Sequence, residues 1–214
     1  MNPPLLEVIL ELQFDPVEMP QDRLQYFYRL NSNLLPETCA AETPYLACLQ
    51  SVDQNDSMLI APDQIEISSK RGISFPRLRS EWTQLLDPFL DIFSIRSLQR
   101  ISLVYWNEIP LQDLRDFRDY LNITFEMPSP LKERFEFFRS EFIYKYPFGE
   151  IKVWLQPDWD DQFEAYCIQL NIESRHLGNL SREALLPKLQ ELHEGIKDVF
   201  RQILSVDYIR GLPQ

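Results

Sequence analysis

Leu185, Leu189, Leu192, Ile196, Val199, Phe200 and Ile203 recur at three- and four-residue steps and lay one apolar stripe along a helix. A helix with one greasy side draws most of its stability from a surface that covers it. The start of the chain offers such a surface. Leu6, Val8, Leu10, Leu12 and Phe14 alternate with Glu7, Ile9, Glu11 and Gln13, a period of two that reads as a strand over Leu5–Phe14 with one face in the core. One-sided helices matched to one-sided strands define an α+β fold.

The intervening chain follows the same logic. Pro20 precedes a short helix over Gln21–Leu30, with Leu24, Phe27 and Tyr28 inward. Asn31–Thr43 reads as a loop. Tyr45–Val52, Met58–Ala61 and Gln64–Ser68 read as strands, separated by the polar turn Asp53–Asp56 and by Pro62-Asp63. Ser74-Phe75-Pro76 opens a long helix whose stripe is Leu78, Trp82, Leu85, Phe89 and Phe93; Pro88 within it is expected to kink or divide it.

Leu98–Ile109 is the central strand, and Leu111–Leu121 a short helix beside it with a charged outer side. Met127-Pro128-Ser129-Pro130 is the most linker-like point. The two sides of it have similar composition, so residues 1–214 read as a single domain, with 127–130 the place for any sub-division. Glu133–Tyr146, Glu150–Gln156 and Phe163–Ile172 are aromatic-rich strands joined by short turns, hence an antiparallel meander. The last helix begins at Ser181 as N-cap or at Pro187 in its first turn. The expectation is a single curved, mainly antiparallel sheet of about six to eight strands. Its long amphipathic helices pack on one face, and the element order hints at two weakly similar halves.

The opening N-P-P-L-L-E-V-I-L-E-L-Q-F, the central I-S-L-V-Y-W-N-E-I-P and the closing L-Q-E-L-H-E-G-I-K-D-V-F resemble a sporadically distributed family of uncharacterised bacterial and archaeal proteins. The family's central motif reads G-L-R-Y-x-N-R-I. Leu103, Tyr105, Asn107 and Ile109 match it; Ser102, Val104 and Glu108 replace its Gly and both Arg. The resemblance covers nearly the whole chain and implies a coherent fold, but no activity, cofactor or site residue. It does imply that any anion bound by those arginines in relatives is not bound here.

Charge narrows the partners. A net charge of −12 opposes direct binding to a phosphate backbone, which needs clustered Lys and Arg. The one basic cluster, Lys70, Arg71, Arg77 and Arg79, reads as a solvated loop and helix start. No apolar run is long enough to span a membrane, Glu7 and Glu11 spoil any leader, and the expected setting is the cytoplasm.

Sites of chemistry are sparse. Cys39, Cys48 and Cys167 suggest neither a disulfide framework nor a zinc site. Phosphate-loop and nucleophile-elbow motifs are absent. Cys48 reads as a buried thiol, His193 as a packed ring and His176 as a solvated side chain by a turn. Tyr105 and Asn107 share a strand face, Asn107 with a structural hydrogen bond to make.

Asp158, Asp160, Asp161 and Glu164 are the best candidates for a hard cation, although a solvated hairpin turn explains them more simply. No catalytic, cofactor or metal residue is therefore assigned. The expected function is a non-enzymatic cytoplasmic protein-interaction or regulatory module. The alternatives are a small-ligand binder with a pocket between sheet and helices, and a metal-dependent hydrolase or nuclease built on Asp158–Glu164.

Overall fold

The computed structural model describes residues 5–110, 120–122, 139–147, 149–160 and 165–205. Its centre is β1 (Leu5–Gln13), paired on one side with β5 (Gln64–Ser69) and on the other with β6 (Ser97–Pro110). Before β5 come α1 (Gln21–Asn31), β2 (Glu37–Cys39), β3 (Ala47–Gln50) and β4 (Asp56–Ile60); α2 (Phe75–Ile92) follows it. After β6 come β7 (Ser140–Tyr146), β8 (Gly149–Asp160), β9 (Ala165–Ser181), a short 3-10 turn and α3 (Leu185–Ile203).

Among the described residues nine strands form one sheet in the order β2-β3-β4-β5-β1-β6-β9-β8-β7, every neighbouring pair antiparallel. Thus β1 and β6 lie side by side at the middle. β5 returns beside β1 and β9 beside β6, and each return is followed by a long helix.

The alternation read from the sequence sorts the sheet into two faces. Val8, Leu10 and Leu12 of β1 stand opposite Tyr105, Leu103 and Ile101 of β6, and opposite Ser69, Ile67 and Ile65 of β5. The aliphatic side chains among these, with Val153 and Leu155 of β8 and Leu170 and Ile172 of β9, join one buried cluster, and Tyr105 packs against it. The stripes of α1, α2 and α3 enter the same cluster through residues such as Phe27, Trp82, Phe89, Leu192 and Ile196. Phe89 anchors it, with ring centroids 6.1 Å from Phe14, 5.4 Å from Phe27 and 4.9 Å from Phe93.

Several expectations change. Nine strands replace the six to eight expected, in part because β2 lies inside the segment Asn31–Thr43 read as a loop. A three-residue, largely exposed edge strand has no alternation to detect; pairing with β3 is what makes it a strand. Pro88 does not divide α2. The hydrogen bond it forgoes would reach Gln84, an exposed position where water can satisfy the carbonyl, while Leu85, Leu86, Phe89 and Leu90 hold the helix by packing.

His176 is not beside a turn. It lies within β9 opposite Ile101, because β9 runs on to Ser181 to match the length of β6. Pro187 sits in the first turn of α3, whose N-cap is Ala184; Ser181 stands instead before the 3-10 turn, with no side-chain cap bond. The stretch 127–130 and the helix expected over Leu111–Leu121, apart from its end, fall outside the described residues.

Against the expectation of no disulfide framework and of a buried thiol at Cys48, Cys39 and Cys48 form a disulfide across β2 and β3 with Cα atoms 5.1 Å apart. The spacing of nine carried no framework signal, because only the register of the two edge strands brings the pair together. Closing so short a loop is worth about 2.5 kcal/mol in the chain-entropy description. Reduction, or Cys39→Ser with Cys48→Ser, is expected to cost about 1–3 kcal/mol in urea denaturation and to speed amide exchange in β2 and β3 first.

Candidate functional site

The helices cover one face of the sheet; the other is built from the polar half of each alternation. Successive strands place Leu59, Glu66, Glu11, Ser102, Arg175 and Glu150 in one cross-strand row, and Ser57, Ser68, Ile9, Val104, Glu173 and Lys152 in the next. A third row holds Glu7, Trp106, Asn171 and Trp154. Side chains from β5, β1, β6, β9 and β8 enclose a hollow of about 790 Å³ on this face. Trp106, at 45% exposure, stands in its lining, with Trp154, Gln156, Gln169 and Asn171 on the β8–β9 side. Arg139 also lines it.

Its floor is a charge cluster around one guanidinium. Arg100 donates from Nη2 to Glu11 Oε2 at 3.1 Å and to Glu173 Oε1 at 3.0 Å, and Ser102 Oγ donates to the same Glu173 oxygen. Glu173 is only 6% exposed, and Ser102 is fully buried beneath these groups. Tyr45 OH donates to Glu66 Oε2 at 3.3 Å. Trp154 Nε1 donates to Glu141 at 3.1 Å, and Arg175 pairs with Glu150.

Burial pushes the Glu11 carboxyl above the usual carboxylate range; Arg100 pulls it back and Glu173 adds to the rise. Burial also raises Glu66, and Glu11 raises it further. Tyr45 is pushed up to about 12 by burial and then by Glu66. A carboxyl raised in the folded state weakens folding as pH climbs through its titration, because the unfolded chain ionises first. Glu66→Gln is therefore expected to stabilise the protein slightly at pH 7, by a few tenths of a kcal/mol at this half-exposed site, in urea denaturation.

The residues singled out in the sequence fare differently. Asn107 has the structural role expected, but its partners are strand carbonyls: Nδ2 donates to Leu170 O at 3.0 Å and to Tyr105 O at 3.2 Å. Tyr105 points to the helix side, where its hydroxyl meets His193 Nδ1 at 2.7 Å. Phe75 stacks on the same imidazole at a centroid distance of 3.9 Å, so His193 ties α2 and α3 to β6. Cys48 is held in its disulfide and is no nucleophile.

The basic cluster is neutralised in part: Arg71 pairs with Asp56 and Glu81 and Arg77 with Glu81, while Arg79 donates to the neutral amide of Gln190. Asp161 and Glu164 of the acidic turn lie outside the described residues, as do the side chains of Asp158 and Asp160. Among the described residues no group of three or more His, Cys, Asp or Glu is placed to hold a metal ion. No helix among them is long and apolar enough to cross a membrane.

Burial is the main cause that pushes the His193 imidazole down to about 4, against a smaller opposing pull from Glu194. A histidine depressed in the folded state contributes stability above its unfolded value, lost as pH falls from about 6.5 toward 4. The full shift would be worth about 3 kcal/mol; the ring's partial exposure reduces this to about 1–2 kcal/mol. Urea denaturation at pH 7 and pH 5 is expected to show that loss in the native protein relative to His193→Gln.

Trp106, Trp154, Glu66, Arg100 and Glu173 carry no role in the sequence reading, where Glu11 is only a polar position of the first strand. Their signal was present in the alternation itself, which put Glu7 and Glu11 on the face away from the core.

No family model and no curated protein matches the chain. Among solved structures it is similar to Methanococcus jannaschii TBP, at 11% identity over 92% of this chain and 97% of that one, with a TM-score of 0.30. A likeness at that level assigns no function.

Proposed function

We infer that the chain is a non-enzymatic, cytoplasmic protein-interaction module whose contact surface is the open face of the sheet. The observation that carries this reading is the hollow of about 790 Å³ with Trp106 exposed in it. An exposed Trp on a polar, rigid sheet is the kind of anchor that dominates protein interfaces. The cytoplasmic setting exposes the Cys39–Cys48 bond to reduction, so thiol trapping in cells is expected to find both as thiols.

The halves that open with β1 and β6 read as two versions of one plan, with the contact face continuous across their join. The family resemblance fits the same reading. Its matching positions Leu103, Tyr105, Asn107 and Ile109 lie on the helix-covered face, while the departures Ser102, Val104 and Glu108 lie on the open one. A shared core with a changed open face suits a common fold that serves different partners.

A second reading, a small-ligand binder, draws on a cleft of about 320 Å³ between α2 and the β4–β5 hairpin. Arg71, its most obvious anion-binding group, is already committed to Asp56 and Glu81, which favours the open face. A photo-crosslinking residue at position 106, compared with one at the exposed position 191 on α3, tests the reading in extracts of the native host. A discrete adduct from 106 alone is expected; adducts from 191 alone, or none from either, would remove it.

A further inference from the structure

We propose that the open face receives an extended, cationic polypeptide segment, its Lys or Arg side chains held by Glu7, Glu11 and Glu66 and laid against Trp106. This rests on the open face being the contact surface and adds the chemistry of what it binds.

The first support is a charge imbalance built into the hollow. Glu7, Glu11, Glu66 and Glu173 line it against Arg100 and Arg139. Arg100 is spent on Glu11 and Glu173, and among the described residues no ion pair reaches Glu7 or Glu66. Glu11 and Glu66 are half-buried where water solvates their charge poorly. Glu11 shares the one guanidinium of Arg100 with Glu173 and, among the described residues, Glu66 has none, so an arriving guanidinium or ammonium adds compensation that the fold supplies only in part.

The second support is aromatic. A cation over an indole face gains by attraction to the ring, and the protein already makes one such contact, with Lys152 Nζ 5.7 Å from the Trp154 ring. Trp106 lies in the same cross-strand row, on the far side of Asn171, and is exposed. The third support is shape. Five strands at about 4.8 Å spacing give a trough roughly 19 Å across, the reach of about six extended residues. The amide of Asn171 on its β8–β9 side can bond a peptide backbone. The same charges repel a nucleic acid backbone.

The test titrates the intact chain with a tetra-arginine peptide, using tetra-glutamine as the neutral control, and follows tryptophan fluorescence and heat. Tetra-arginine is expected to bind and tetra-glutamine not to. Affinity should fall at least tenfold in Glu11→Gln with Glu66→Gln, and severalfold in Trp106→Ala. Removing two exposed charges elsewhere, with Glu191→Gln and Glu194→Gln on α3, should leave it unchanged.

Absence of binding would overturn the proposal. So would an equal loss in the α3 variant, which would reduce the effect to attraction by the net charge of −12. If crosslinking at position 106 still captures a partner and that capture ignores Glu11→Gln with Glu66→Gln, the cationic occupant is wrong while the contact surface stands.

Discussion

Phe89→Ala is expected to destabilise the protein by about 3–5 kcal/mol, read as a lower urea midpoint with an unchanged slope. Phe89 is fully buried and meets Phe14, just after β1, Phe27 of α1 and Phe93 at the end of α2. Each ring pair adds about 0.5–1.5 kcal/mol beyond the area it buries. The neighbours belong to three separately anchored segments, so they cannot close together over the missing ring, and the cavity persists. Phe89→Leu, which keeps most of the volume, should cost about 1–2 kcal/mol. A loss below 1 kcal/mol for the alanine variant would mean that α1 and α2 do not share an interior with the sheet.

Arg100→Met should cost about 2–3 kcal/mol at pH 7, by the same measurement. Breaking a fully buried ion pair costs about 3–5 kcal/mol because the abandoned charge stays out of water. Here the side chains of Arg100 and Glu11 keep 25% and 35% of their exposure, and screening reduces the figure. The variant leaves Glu11, Glu66 and Glu173 near one another without the guanidinium that joins two of them, and the Glu11 carboxyl, which Arg100 pulls down, rises further. The loss should therefore be largest where Glu11 is ionised and shrink as pH falls toward 5, since its protonation removes the repulsion. Adding Glu173→Gln to Arg100→Met should recover part of it at pH 7. A loss independent of pH would show that Arg100 acts by packing alone.

What could be read from the sequence and what could not divides along a physical line. Burial writes itself into periodicity, so Val8, Leu10 and Leu12 announced a one-sided strand, and Leu185 to Ile203 a one-sided helix. Pairing leaves no such trace. The edge strand β2 and the Cys39–Cys48 bond exist because β3 supplies a partner at the right register, and nothing local in Glu37–Cys39 requires it.

The candidate site has the same origin. Glu11 and Glu66 are far apart in the chain but directly opposed in the β1–β5 ladder, and Arg100 reaches Glu173 across β6–β9. Each is an unremarkable polar residue on the outward half of an alternation until the strands are set in order. The eye-catching rings behaved otherwise: Trp82 and His193 are packing, whereas Trp106, which the motif leaves unspecified, is the one exposed in the hollow.

The central claim is that one face of the sheet is filled and the other open. Fluorine NMR of the protein labelled with 5-fluorotryptophan tests it directly, with resonances assigned by Trp→Phe substitution and exposed to a soluble paramagnetic reagent. The Trp82 resonance should be untouched and the Trp106 resonance broadened, and tetra-arginine should shift Trp106 without moving Trp82. Equal broadening of the two, or broadening of Trp82 alone, would contradict a sheet with one packed face and one free to bind.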